Sequence, residues 1–212
     1  MRVSVIGLGD MGSGLAKNLI KAGLDVAGFD LSQPRMQALA EMGGQPVESI
    51  AEAGKDATVA FVMVMNGDQA KSVILGPDGL AAAMPSGGVI ILTATIKPRE
   101  AREIGAALAD GPISLIDSPV SGGFGGAQGG TLTMLASAPE EVIDRARPAM
   151  EAVSGTIHHV GTDPGMGQTV KACLQTLIGS IFSATFEAAA LAAKAGVKGD
   201  DLYRVFSTSG AG

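Results

Sequence analysis

Three groups of residues in this chain have types and spacings suited to chemistry. The first is Gly7-Leu8-Gly9-Asp10-Met11-Gly12, set directly after the apolar run Val3-Ser4-Val5-Ile6 and before a helix-forming stretch. Glycine at the first position permits a tight turn, at the third it lets backbone approach a pyrophosphate, and at the sixth it lets a helix pack against the strand. The helix N-terminus then offers free N–H donors to an anion. With 31 glycines among 212 residues the bare pattern arises easily by chance. The strand before it and the helix after it are what mark a dinucleotide-binding turn. A second apolar run, Leu24 to Phe29, ends in Asp30, 23 residues after Gly7. A carboxylate there accepts from a ribose 2′-hydroxyl and repels a 2′-phosphate, which predicts NAD rather than NADP, with Arg35 softening the preference. The alternative reading is an exposed acid that merely precedes the next helix, with Ser32 as its cap.

The second group is Asp117-Ser118-Pro119-Val120-Ser121-Gly122-Gly123, which follows a strand and opens a stretch containing Gly125, Gly126, Gly129 and Gly130. Backbone N–H groups exposed by so many glycines, together with the Ser121 hydroxyl, could hold a carboxylate; a flexible crossover without a ligand is the bland alternative. The third is Lys171, four residues after Gly167 and four before Gln175, so that all three fall on one helical face. A partly buried lysine has a lowered pKa and could exchange the proton that accompanies hydride transfer at an alcohol carbon. An ordinary solvated lysine fits the spacing equally well. Thr93 and Thr95 end a strand where they could face a ligand or simply cap the next element. Cys173 has no plausible histidine partner and reads as a small core residue. His158 and His159 are adjacent on an expected strand and point to opposite faces, so no metal site is expected.

The elements that must position these residues alternate. Strand-like runs fall at Val3 to Ile6, Leu24 to Phe29, Thr58 to Val64, Val89 to Leu92 and Ser114 to Asp117, with helical patterns near 11–22, 33–42, 67–75 and 98–109 between them. Apolar strands joined by crossover helices predict a doubly wound, Rossmann-type α/β domain with a parallel sheet covered on both faces. Leu132 to Ala136, the helix Glu140 to Ala152 and Thr156 to Val160 extend it, and residues 1–162 form the expected NAD-binding domain. Asp163-Pro164-Gly165 is a turn signal, and residues 167–195 then run helical without a breaker, on the order of 43 Å at 1.5 Å per residue. A helix with so continuous an apolar stripe needs company to be buried. With only a short helix expected at Asp200 to Phe206, residues 163–212 read as the beginning of an all-helical second domain, cut short.

Composition narrows the partners. A net charge of −6 with scattered Lys and Arg, no Trp and a single Tyr argues against nucleic acid. The single cysteine fits a reducing compartment, and the N-terminus reads as strand and turn rather than signal peptide, so a cytoplasmic location is expected. Between Lys171 and Lys194 the one charged residue is Glu187, which imitates a membrane span. Gln175, Thr176, Ser180, Ser183 and Thr185 inside the segment, and the lack of a flanking basic cluster, favour a helix buried in protein at a subunit contact instead.

Together these motifs resemble the β-hydroxyacid dehydrogenase family, which includes 3-hydroxyisobutyrate and L-threonate dehydrogenases and is related to 6-phosphogluconate dehydrogenase. The resemblance spans the chain and rests on VSVIGLGDMGSGLAKNLIKAG with Asp30, on Thr93-Ala94-Thr95-Ile96, on DSPVSGGFGGAQGGTLTML and on GMGQTVKACLQ. It implies NAD-dependent oxidation of a small hydroxy acid, with Lys171 as acid/base, Ser121, Gly122 and Gly123 on the substrate carboxylate, and Gln175 and Thr95 beside the substrate. Gly7, Leu8, Gly9, Asp10, Met11, Gly12, Asp30, Asn66 and Thr95 are the implied cofactor contacts. Many members have asparagine where Gln175 stands; the longer amide, with Asn66 and Gln69, is similar to the L-threonate branch. The family's long helix joins subunits, implying a homodimer or homotetramer through 167–195. Two rival readings remain: an NADPH-dependent reductase of glyoxylate or succinic semialdehyde, and a dinucleotide-binding module without turnover.

Overall fold

A computed structural model of the chain describes residues 1–210. In chain order the elements are β1 (Arg2–Ile6), α1 (Asp10–Lys21), β2 (Asp25–Phe29), α2 (Gln33–Glu41), β3 (Gln45–Pro46), α3 (Ile50–Gly54) and β4 (Val59–Val62). There follow α4 (Gly67–Leu75), α5 (Leu80–Ala83), β5 (Val89–Leu92), α6 (Pro98–Leu108), β6 (Ser114–Asp117), β7 (Val120–Ser121) and α7 (Gly123–Gly129). The last are β8 (Leu132–Ser137), α8 (Glu140–Val153), β9 (Ser154–Gly161), α9 (Met166–Lys194) and α10 (Gly199–Thr208).

The strands form one mostly parallel sheet in the order β3-β2-β1-β4-β5-β6-β8-β7, with β9 also pairing β8. The expected doubly wound architecture is therefore present. Its parallel character ends at β6, because β8 runs antiparallel to β6 and β7, and β9 pairs parallel with β8, opposite in direction to β6.

The apolar strands lack polar interruptions because both of their faces are buried. In β1, Val3 and Val5 belong to one core while Ile6 belongs to the other, and in β4, Val59 and Phe61 separate from Ala60 and Val62 in the same way. Side chains alternate along a strand, so a sheet covered on both sides needs apolar residues at successive positions. One core lies under α1, α2 and α8, the other under α3 to α6.

The chain divides into two compact units, Met1–Lys171 and the residues from Ala172 onward. Within the second, the helical stripe carries Leu177, Ile181, Phe182 and Phe186 on exposed positions, and the rings of Phe182 and Phe186 stack with centroids 5.9 Å apart. By length and composition α9 could cross a membrane.

Several short elements escape sequence reading. The two-residue strands β3 and β7 and the short helices α3 and α5 are too brief for a periodic signal. The glycine-rich stretch expected as a loop is helical over Gly123–Gly129, against glycine's poor helix propensity, because α7 packs on α1. A Cβ at Gly14 would lie 2.6 Å from the carbonyl carbon of Ala127, and the buried Asn18 Nδ2 donates to the carbonyls of Ala127 and Gly14, both at 2.8 Å. Gly14 thus permits the close helix contact, which tertiary packing supplies and local sequence does not.

Candidate functional site

The Gly7–Gly12 turn sits where β1 ends between β2 and β4, the point at which the sheet's strand order reverses and where open α/β sheets bind ligands. Gly7 has φ of +91°, and its N–H donates to the Phe29 carbonyl at 2.9 Å. A Cβ on Gly7 would fall 2.2 Å from the Met63 carbonyl oxygen, and one on Gly12 would fall 1.8 Å from the Gly7 carbonyl oxygen. Both glycines are demanded by the fold itself. Gly9 differs: the nearest atom to its would-be Cβ is the Arg35 guanidinium at 3.8 Å, so its open face is free for a ligand.

Gly9 is also the N-cap of α1, and no side chain caps the helix. Leu8, Asp10 and Met11 complete the turn, with Asp10 and Met11 among the residues lining a cleft of about 800 Å³. The cleft extends past Asp30 and Arg35 to Met65, Gln69 and Val73. The open face at Gly9 and the uncapped helix end fit a pyrophosphate between them, and the cleft beside them, walled by Ile6, Phe29, Val64 and Val73, fits an adenosine.

Asp30 is nearly buried, with 8% of its side chain accessible. Its Oδ2 accepts from the Leu8 N–H at 2.7 Å and its Oδ1 from the Ser32 N–H at 2.9 Å. It is thus not the exposed acid of the alternative reading. The carboxylate fastens the glycine turn to the loop after β2. The Arg35 guanidinium lies 3.4 Å from the same carboxylate, at the lip of the cleft beside Gly9.

Asn66 is the N-cap of α4, where its side chain accepts from the Gln69 N–H at 2.9 Å while Gln69 Oε1 accepts from the Met65 N–H at 2.9 Å. This reciprocal cap commits the Asn66 oxygen to the helix and leaves Gln69 and Met65 on the cleft wall. The Thr93 hydroxyl, read as either facing a ligand or capping the next element, donates to the Val62 carbonyl at 2.9 Å inside the core. Thr95 is exposed. Ser121 lies half-buried in β7, and the next two residues turn through positive φ, +128° at Gly122 and +59° at Gly123. At Gly123 nothing lies within 4 Å of a would-be Cβ.

Lys171 is buried, 8% exposed, and desolvation alone pushes its ammonium below the ordinary lysine range. Among the described residues no carboxylate lies within ion-pair distance of it. Gln175 stands one turn further along α9 and is exposed, within the second unit. Cys173, expected in the core, is exposed instead: it belongs to the second unit, in which most of α9 is itself exposed. No cluster of three metal-ligating side chains occurs among the described residues.

Residues 2–161 match the model of the NAD-binding domain of 6-phosphogluconate dehydrogenase, and residues 165–212 match that described as NAD-binding of NADP-dependent 3-hydroxyisobutyrate dehydrogenase. The chain belongs to the β-hydroxyacid dehydrogenase family. It is accordingly an NAD-dependent oxidoreductase of hydroxy acids.

Among its relatives, an L-threonate dehydrogenase from Cupriavidus necator is 39% identical over 98% of this chain and 70% of its own length. A 3-hydroxyisobutyrate dehydrogenase from Pseudomonas aeruginosa is 39% identical over 99% of this chain and 70% of its own. Among solved structures, the 3-hydroxyisobutyrate dehydrogenase of Salmonella typhimurium superposes with a TM-score of 0.89 at 34% identity, over 100% of this chain and 74% of that one. Asp117 and Gln168, both buried and both richly hydrogen-bonded, stand inside motifs that the sequence reading named but received no role of their own there. The signal for Asp117 was its place in an apolar strand; Gln168, one turn before Lys171, carried none.

Proposed function

We propose that the protein oxidises a small hydroxy acid with Lys171 as the group that takes the hydroxyl proton. The observation that supports this most directly is a lysine buried without a counter-charge, since an amine desolvated in this way is neutral over more of the working pH range and able to accept a proton. NAD bound at the Gly7–Gly12 turn supplies the hydride acceptor.

The chain's own residues do the rest. In this reading the turn holds the pyrophosphate against the uncapped end of α1, Asp30 accepts from a ribose hydroxyl, and Asn66 and Thr95 border the cofactor. Ser121 with the N–H groups of Gly122 and Gly123 receives the substrate carboxylate, leaving the carbinol carbon to face Lys171. Gln175 and Thr95 orient the remaining hydroxyls, and the longer amide of Gln175 favours a polyhydroxylated acid of the L-threonate type. Orientation of this kind supplies much of the rate by holding the reacting atoms in place.

In the same proposal residues 1–162 are the cofactor domain and 163–212 belong to a helical domain. The exposed stripe at Leu177, Ile181 and Phe186 would join copies of the chain in a homodimer or homotetramer, in the cytoplasm. The relatives' names support the substrate class: alongside the two above, one from Pseudomonas aeruginosa is an NAD-dependent L-serine dehydrogenase.

The test is a spectrophotometric screen of hydroxy acids with NAD and NADP, run beside Lys171→Ala. Turnover should fall by a factor on the order of 10² to 10⁴ in the variant, the range expected for loss of a general base, while NADH binding persists. A variant with near-normal turnover would refute the role of Lys171, and tighter binding of NADPH than of NADH would refute that of Asp30.

A further inference from the structure

Asp117 and Gln168 have no part in the reaction as derived above, yet their polar atoms are fully employed. Asp117 is wholly buried at the end of β6. Its Oδ2 accepts from the Gly165 N–H at 2.8 Å and the Gln168 N–H at 3.2 Å, and its Oδ1 accepts from Gln168 Nε2 at 2.9 Å. Gln168 is 1% exposed in the first turn of α9. Its Nε2 donates a second time, to the Ala94 carbonyl at 3.0 Å, and its Oε1 accepts from the Ile96 N–H at 3.0 Å.

One carboxamide thus ties together the end of β6, the head of α9 and the loop after β5, which it grips on either side of Thr95. A close-packed apolar pair could fill this space without burying a charge, and buried polar networks of this kind define geometry more than they add stability. Burial does push the Asp117 carboxyl above its usual range, opposed by the hydrogen bonds it receives. Lys171 follows Gln168 by three residues on the same helix and so shares its face. Ser121 follows Asp117 by four residues along the strand and turn.

We propose that Asp117 and Gln168 are positioning residues that hold the Lys171 turn, the Thr95 loop and the segment leading to Ser121 in one register. The inference rests on the reading of Lys171 as the acid/base group. The carboxamide is specifically required, because the Ile96 N–H needs an acceptor while the Ala94 carbonyl and the Asp117 carboxylate need donors. Glutamate at 168 would set an oxygen against both of those acceptors, and methionine would fill the volume while offering neither donor nor acceptor.

The deciding experiment compares the wild-type chain, Gln168→Ala, Gln168→Met and Lys171→Ala. NADH is titrated by fluorescence, and kcat is expressed per NADH site so that a smaller folded fraction cannot imitate a slower enzyme. In Gln168→Ala and Gln168→Met, NADH binding should stay within about twofold while kcat per site falls on the order of 10²-fold, the cost expected of misplacing a catalytic group by about 1 Å. If Gln168→Ala does not fold, Gln168→Met carries the comparison, since it preserves the packing. Wild-type kcat per site in a folded Gln168 variant, with Lys171→Ala inactive, overturns the positioning role alone. Near-normal turnover in Lys171→Ala overturns the reading of the lysine, and the positioning role falls with it.

Discussion

Two glycines three residues apart in the same turn should respond to the same substitution in opposite ways. In Gly9→Ala the new methyl meets nothing nearer than the Arg35 guanidinium at 3.8 Å, and the backbone already has φ of −65°, which alanine adopts freely. The folding cost is then only that of a poorer N-cap, roughly 0.5–1 kcal/mol, or a fall in Tm of about 1–4 °C for a chain of this size. The methyl stands, however, on the face left open for the pyrophosphate. Losing one charge-assisted hydrogen bond costs about 1.5–3 kcal/mol, equivalent to a rise in the NADH dissociation constant of roughly 10- to 150-fold.

In Gly12→Ala the Cβ would lie 1.8 Å from the Gly7 carbonyl oxygen, a backbone atom that cannot step aside without separating α1 from β1. That strain costs at least about 3 kcal/mol, the upper end of ordinary overpacking, and should lower Tm by roughly 6–12 °C. Thermal melts and NADH fluorescence titrations on the two variants separate these effects. The reasoning fails if Gly9→Ala binds NADH within twofold of wild type, or if Gly12→Ala melts at the wild-type temperature.

Two further outcomes follow from buried polar groups. Asn18→Ala removes the donor shared by the Gly14 and Ala127 carbonyls and should destabilise the fold by about 1–3 kcal/mol, seen as a lower urea midpoint; an unchanged midpoint would mean that α7 is not held to α1 by this side chain. Because burial lowers the Lys171 pKa and the group must be unprotonated to accept a proton, oxidation should quicken as pH rises, along a limb centred below the ordinary lysine value of about 10.4. The same shift sets the sign for folding: the unfolded chain holds the Lys171 proton more tightly, so this residue's contribution weakens as pH falls toward its folded pKa. A pH–rate profile whose limb lies at or above the free-lysine value would contradict the burial argument.

The long-range logic of the cofactor half is local in origin. Alternating cores on both faces of β1 and β4 require unbroken apolar runs, so strand identity and parallel pairing can be read from composition alone. The turn at Gly7 to Gly12 is likewise legible because its conformations and close contacts need glycine at fixed spacing. Asp30 was recognisable by its place after β2, although its bonds to the Leu8 and Ser32 N–H groups were not.

Tertiary structure alone decided what distant segments do for one another. The glycine-rich segment after Ser121 reads as loop, and is helical where it packs on α1: Gly14 of α1 leaves room for the Ala127 backbone, and Asn18 donates to the Ala127 and Gln128 carbonyls. Thr93 carried the right group for a ligand, but its hydroxyl is spent on the Val62 carbonyl, and the Asn66 oxygen caps α4. Asp117 and Gln168 stand 51 residues apart, and no periodicity links them. Sequence by itself therefore determined the sheet, the nucleotide turn and the candidate lysine, since each depends on residues within a few positions. Burial of that lysine and the polar clamp at the head of its helix depended on folding, because desolvation and hydrogen bonding across the chain exist only once the segments have met.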